Sequence, residues 1–263
     1  MLDQTTREEI AQELYDCYRQ HRQITLLTKS HPEIEAEDSY RIQELIVEKF
    51  KAAGSRVNGY KIGLTSKPMQ EMAGTTEPDY SVLLDEMFVP EASVLSMQDY
   101  IAPMVEIELA FVMKERLSGP SVTVADVIRA VDFALPAIEI VDLRVAMAPG
   151  MDVRDTIADL AAVGGVVLGG NPIDLKAVDI RKVHGQLIID GEVKQEGFSD
   201  AVLGNPLNAV AWLANKLSDF GTAFEPGDVI LSGSFIRLEP VSTNQQVIAR
   251  FSDGFGDVTF SMA

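Results

Sequence analysis

The stretch PMVEIELAFVM, Pro103 to Met113, sets two carboxylates into a run that is otherwise apolar. Its β-branched and aromatic residues predict a buried strand. In a strand, residues i and i+2 share a face about 6.6 Å apart. Glu106 and Glu108 therefore point one way, and Val105, Ile107, Leu109 and Phe111 the other. Two like charges so close, with apolar neighbours, repel and lose hydration unless something compensates. A second intrusion lies downstream in ALPAIEIVD, where Glu139 sits among Ala137, Ile138, Ile140 and Val141.

The composition narrows the compensator. The chain has one cysteine, Cys17, and three histidines, His21, His31 and His184, too few for a Cys-rich cluster or a multi-histidine zinc site. Three glutamates form a hard oxygen site of the kind that suits Mg²⁺ or Mn²⁺. The competing reading places the Glu106 and Glu108 face in solvent and pairs Glu139 with an arginine. Lys61, alternating with apolar residues in VNGYKIGLTS, could be a buried acid or base, but the spacing by itself favours an ordinary solvated strand residue.

The rest of the chain predicts an α+β protein. Thr5 to Gln20 and about Asp38 to Ala53 are amphipathic helices, the first opened by Thr5 with Glu8 and the second closed by Gly54. From Val57 onward short strands dominate, with hairpins at Asp190-Gly191 and Asp253-Gly254. Two helices interrupt them, one capped by Thr123 with Asp126 and one by Asn205 before Pro206. This divides the chain into a helical segment, 1–56, and a strand-rich body, 57–263. GGVVLGG lacks the following helix of a dinucleotide fingerprint, so its glycines are expected to serve tight turns, and there is neither a P-loop nor a G-x-S-x-G elbow.

At 263 residues and 46% hydrophobic content, the chain is long enough for a sizeable core. Its formal charge of −18 disfavours nucleic acid and anionic membranes as partners. A polar N-terminus and the lack of a long apolar run predict a soluble, cytoplasmic protein.

Seven blocks, GYKIGLTSKPMQ, EPDYSVLLDEMF, VEIELAFV, LPAIEIVDLR, DTIADLAA, LGNPLNAVAWLANKL and DVILSGSF, occur here in the order found in the 2-hydroxydienoate hydratases. The chain resembles these relatives of 4-oxalocrotonate decarboxylase, in the fumarylacetoacetate hydrolase superfamily, from about residue 3 to its end. The resemblance implies a mixed β-sheet roll and Mg²⁺ or Mn²⁺ on Glu106, Glu108 and Glu139. It implies catalytic roles for Lys61, in K-x-G-x-T, and Asp79, and substrate contacts from Thr65, Ser66, Ser234 and Arg237. The implied reaction adds water to a 2-hydroxy-2,4-dienoate or 2-oxo-enoate, with the resemblance closest to hydratases of a 2-oxohept-4-ene-1,7-dioate type of substrate, giving a 4-hydroxy-2-oxo acid in aromatic catabolism. A homo-oligomer is also implied, since some relatives form pentamers or decamers.

Four positions depart from the family pattern. Leu160 and Ala162 stand where D-T-x-A-D-N-A-S has Asn and Ser, Ser81 replaces a glycine, and Leu143 replaces a small polar residue. The alternatives are a decarboxylase using the same glutamates and a non-catalytic metal-binding relative. Arg237 either grips a second substrate carboxylate or is a surface arginine near a strand end.

Overall fold

The computed structural model describes residues 1–263. Three helices come first, α1 (Gln4–Gln20), α2 (Leu27–Ser30) and α3 (Ala36–Ala52). The body follows as strands β1 (Val57–Gly63), β2 (Asp79–Leu84), β3 (Phe88–Val89), β4 (Val94–Leu95), β5 (Met104–Met113), β6 (Val131–Val141) and β7 (Val163–Leu168). It continues with β8 (His184–Ile189), β9 (Glu192–Phe198), β10 (Val229–Leu231), β11 (Glu239–Pro240), β12 (Gln246–Phe251) and β13 (Gly256–Met262). Four helices lie between them, α4 (Lys67–Met72), α5 (Val124–Ala130), α6 (Val153–Ala158) and α7 (Pro206–Ser218). The expected α+β class and mixed sheet are observed. The helical interruptions number four rather than two, because α4 and α6 span six residues each, too short for a helical period to show.

The strands form two sheets. The larger runs β2-β1-β10-β5-β6-β7-β3, with β11 also pairing β5, and the smaller runs β4-β13-β12-β8-β9. The pairing is mixed: β1 lies parallel to β10 and antiparallel to β2, while β5 and β6 form a long antiparallel pair. Strand alternation then sorts β5 between two cores. Val105, Ile107, Leu109 and Phe111 enter a large cluster with residues of the second sheet and α7. Ala110, on the glutamate face, joins a second cluster that includes Leu14, Ile46 and Phe50 of the first helices. The glutamate face is therefore covered rather than solvated.

Local chemistry explains most of the boundaries. Asp3, not Thr5, caps α1, its side chain accepting from the Thr6 N–H at 2.8 Å. Glu35 and Asp38 form the capping box of α3, which starts two residues before the expected Asp38. The Thr123–Asp126 box and the Asn205 cap are as expected. Both hairpin Asp-Gly pairs have positive φ, which a type I′ turn requires. Two glycines of GGVVLGG do something other than turn. A Cβ on Gly164 would lie 2.9 Å from the Asp142 Cβ, and Gly169 is equally tight against Pro136 and Val258, so these glycines permit close packing.

The N-terminal helices clamp the segment after β6. Gln43 of α3 donates to the carbonyls of Tyr80 and Ile157, and Thr28 of α2 donates twice to Asp155. Arg144 is buried against Asp159 at 2.7 Å, donates to the Tyr18 hydroxyl of α1, and lies 3.8 Å from the centre of that ring. No helix is long and apolar enough to cross a membrane.

Breaking a buried pair strands its partner charge, at about 3–5 kcal/mol, whereas an exposed pair contributes under about 1 kcal/mol. Urea unfolding should show a loss of that larger size for Arg144→Met. Arg250→Met, which breaks the exposed pair with Asp257, should change little.

Candidate active site

The register of the two long strands builds the acidic centre. Glu106 faces Glu139 directly across the β5–β6 pair, and Glu108 follows Glu106 on the same face. Carboxylate oxygens of the three lie within 4.8 Å of one another. Glu108 and Glu139 are completely buried and Glu106 is 7% exposed, which excludes the solvated-face reading.

Lys61 reaches this centre from β1. It is 4% exposed, not a solvated strand residue, and its Nζ lies 3.0 Å from Oε1 of Glu139 while donating to the Ala161 carbonyl at 2.9 Å. Asp79 enters from β2, paired in register with Gly63. A Cβ on Gly63 would sit 2.3 Å from Oδ1 of Asp79 and 3.7 Å from Nζ of Lys61, so the missing side chain is the space into which both groups project. Thr156 of α6 donates to Oδ2 of Asp79 at the long distance of 3.5 Å.

The electrostatics are unbalanced. Burial opposes the charge on Lys61, but Glu139, then Asp79, Glu106 and Glu108, outweigh it and hold the ammonium above the ordinary lysine range. Burial pushes Asp79 up, against the pull of Lys61. Burial, then the charge of Glu139, pushes Glu106 up to about 8, and the same causes drive Glu108 well above the usual carboxylate range. One ammonium faces four carboxyl groups. Six buried side-chain polar atoms in the chain lack a hydrogen-bond partner, and four of them are here: Asp79 Oδ1, Glu108 Oε1 and both Glu139 oxygens. Buried polar atoms are rarely left so. A divalent cation fits this donor set, because it supplies positive charge and takes oxygen lone pairs left without a hydrogen bond, of which only Glu139 Oε1 has a cation beside it, Lys61 at 3.0 Å.

Two further groups shape the centre without an obvious sequence signal. The Gly233 N–H donates to Oε2 of Glu108 at 2.7 Å, and Gly233, at φ 106°, packs so closely on Thr65 that a Cβ would lie 2.4 Å from Oγ1. Leu160, Ala161 and Ala162 all have left-handed φ, at 48°, 47° and 61°. This conformation costs roughly 1–2 kcal/mol per residue, and here it aims the Ala161 carbonyl at Lys61. Leu160 is fully buried in the second core and anchors the turn, while Ala162 lines the cavity.

That cavity, about 370 Å³, has Lys61, Asp79, Glu106 and Thr156 among its lining residues. Thr65 is buried beside Gly233, and Ser66 precedes α4 without capping it. Ser234 is buried with its hydroxyl between the carbonyls of Ile107 and Ile236. Arg237 is exposed and does not line the cavity, although its neighbour Leu238 does.

A mixed β roll with a buried carboxylate triad and a lysine defines a class of oxygen-ligand metal enzymes. The chain belongs to the fumarylacetoacetate (FAA) hydrolase family, whose C-terminal domain model matches residues 57–255. It is 41% identical over 245 residues to the 2-oxo-hept-4-ene-1,7-dioate hydratase of Escherichia coli, covering 91% of this chain and 92% of that one. It is 38% identical over 248 residues to the 2-hydroxyhexa-2,4-dienoate hydratase of Comamonas testosteroni, covering 94% of each. Among solved structures, 4-oxalocrotonate decarboxylase from Pseudomonas putida G7, complexed with magnesium and adipate, superposes with a TM-score of 0.96 at 30% identity over 100% of this chain and 99% of that one.

Two outcomes test this geometry. Mg²⁺ or Mn²⁺ should raise the thermal midpoint, since a cation binding only the folded chain at one hundred times its dissociation constant adds about 2.7 kcal/mol. Glu139→Gln should remove most of that rise. Gly63→Ala should displace Asp79 and lower turnover by about 100-fold with little change in midpoint, because its Cβ meets a side-chain end rather than backbone.

Proposed function

We propose that the protein is a metal-dependent hydratase that converts a 2-hydroxy-2,4-dienoate, through its 2-oxo-3-enoate form, into a 4-hydroxy-2-oxo acid in aromatic catabolism. The observation that carries the metal site is the set of four carboxyl oxygens without a hydrogen bond, converging with Lys61 as their single cation beneath a cavity. The reaction is supported by the hydratases that match nearly the whole chain at 38–41% identity, against 30% for the decarboxylase.

Glu106, Glu108 and Glu139 would hold the cation, Mg²⁺ or Mn²⁺. Bound there, it would draw electron density from the C1 carboxylate and C2 oxygen of a chelating 2-oxo acid. The chain's own groups move the protons. The C2 hydroxyl gives up its proton and C5 takes one, leaving a double bond between C3 and C4 conjugated to the new carbonyl. Water oxygen then bonds to C4, and its proton ends on C3. Lys61, its Nζ beside Glu139 and the Ala161 carbonyl at the buried end of the cavity, is the proton donor. Asp79, whose raised affinity for a proton lets it both hold and release one, serves as its partner, oriented by Thr156. Thr65 and Ser66, at the end of β1, and Ser234, beside β5, would position the substrate carboxylate.

The body, 57–263, would carry the chemistry and the helical segment, 1–56, would hold the turn that positions Lys61. A cytoplasmic homo-oligomer is the proposed working form. The exposed Val193 and Phe198 on edge strand β9 support association through that edge.

Hydration should appear as loss of the dienol ultraviolet absorbance with Mg²⁺, none with EDTA, and a product heavier than substrate by one water. Lys61→Met and Asp79→Asn should each lower kcat by roughly 10²–10⁴-fold. Loss of CO₂ from a dicarboxylic substrate would instead make the protein a decarboxylase.

A further inference from the structure

Resting on the hydratase reading, we propose that this site selects dienoates whose far end is an uncharged alkyl group and discriminates against dicarboxylates. The cavity has two unlike ends. Its polar end holds Lys61, Asp79 and Glu106, and its apolar wall is built from Met69, Met72, Leu143, Met147, Met151 and Leu238. Met72 and Met147 are 79% and 64% exposed, which places them at the rim. A substrate whose 2-oxo acid end sits on the buried carboxylates and lysine lays its tail along thioether and isobutyl groups.

No cation waits for a second carboxylate. Lys61 is the only basic residue lining the cavity, and its ammonium is engaged by Glu139 and the Ala161 carbonyl. Arg154, two residues along the chain from the lining residue Asp152, is spent on both oxygens of that aspartate and on the Ile34 carbonyl. Arg144 is buried against Asp159, and Arg237 and Lys67 are exposed and outside the lining. A distal carboxylate would thus lose water to a wall of methionines beside the aspartate, without gaining a partner. An alkyl tail gains burial there, and unbranched methionines adjust to tails of different length.

The test uses saturated 2-oxo acids, which have no C=C bond for water to add to, so that tail preference is read apart from chemistry. Calorimetric titration of the Mg²⁺-supplemented full chain should show 2-oxohexanoate binding at least about tenfold more tightly than 2-oxohexanedioate. Met147→Lys, at the exposed rim, should shift that ratio toward the dioate by about tenfold or more. Equal or tighter binding of the dioate by the unaltered protein, or no binding of either acid, overturns the proposal. So does a ratio unmoved by Met147→Lys. If the alkyl acid wins and the ratio moves, yet 2-hydroxyhexa-2,4-dienoate is not hydrated, the tail preference stands and the hydratase reading fails.

Discussion

Everything around the site answers one electrostatic problem, the burial of three glutamates on a single sheet face. Carboxylates within 4.8 Å of one another under two cores cannot all stay ionised beside a single ammonium. The fold could have relieved this with arginines, as it does at Asp159, where Arg144 is buried in partnership. It instead leaves four oxygens without a hydrogen bond at one place, with Lys61 the one cation beside them, in a chain that satisfies nearly every other buried polar side chain. Such a centre is poorly balanced for stability and well suited to binding a divalent cation and a chelating acid.

The centre is held from several directions, mostly through backbone. β1 brings Lys61, β2 brings Asp79, and Gly63 leaves space for both. Gly233 supplies an N–H to Glu108. The left-handed turn at 160–162 supplies a carbonyl to Lys61, and its strain is sustained by Leu160 in the core and by Asp159, locked through Arg144 to Tyr18 of α1. The helical segment thereby reaches the chemistry without touching it, through three buried contacts in series.

The sequence made the acidic centre legible because strand alternation is a strict rule and a charged pair in an apolar strand violates expectation. Glu106 and Glu108 lie on the face assigned to them, and Glu139 lies opposite. The Asp-Gly hairpins and the caps at Asn205 and Thr123 were equally readable, since each depends on a few adjacent residues. What was not readable depends on contacts distant along the chain. Spacing favoured a solvated Lys61 and was wrong, because its burial comes from a strand and turn 100 residues apart. Nothing in Asp-Leu-Ala-Ala signals three left-handed residues, which glycine or asparagine would have advertised. The two departures from the family pattern at Leu160 and Ala162 acquire roles only in the fold, one as an anchor and one as cavity wall.

The central claim is that Glu106, Glu108 and Glu139 together hold one divalent cation. Titration with Mn²⁺ followed by electron paramagnetic resonance tests it directly, because free Mn²⁺ gives a signal that binding broadens away. The account predicts loss of the signal up to one equivalent per chain, and no such loss for Glu108→Gln with its circular dichroism unchanged. A native chain that leaves the signal intact, or a Glu108→Gln variant that titrates like it, would contradict the account.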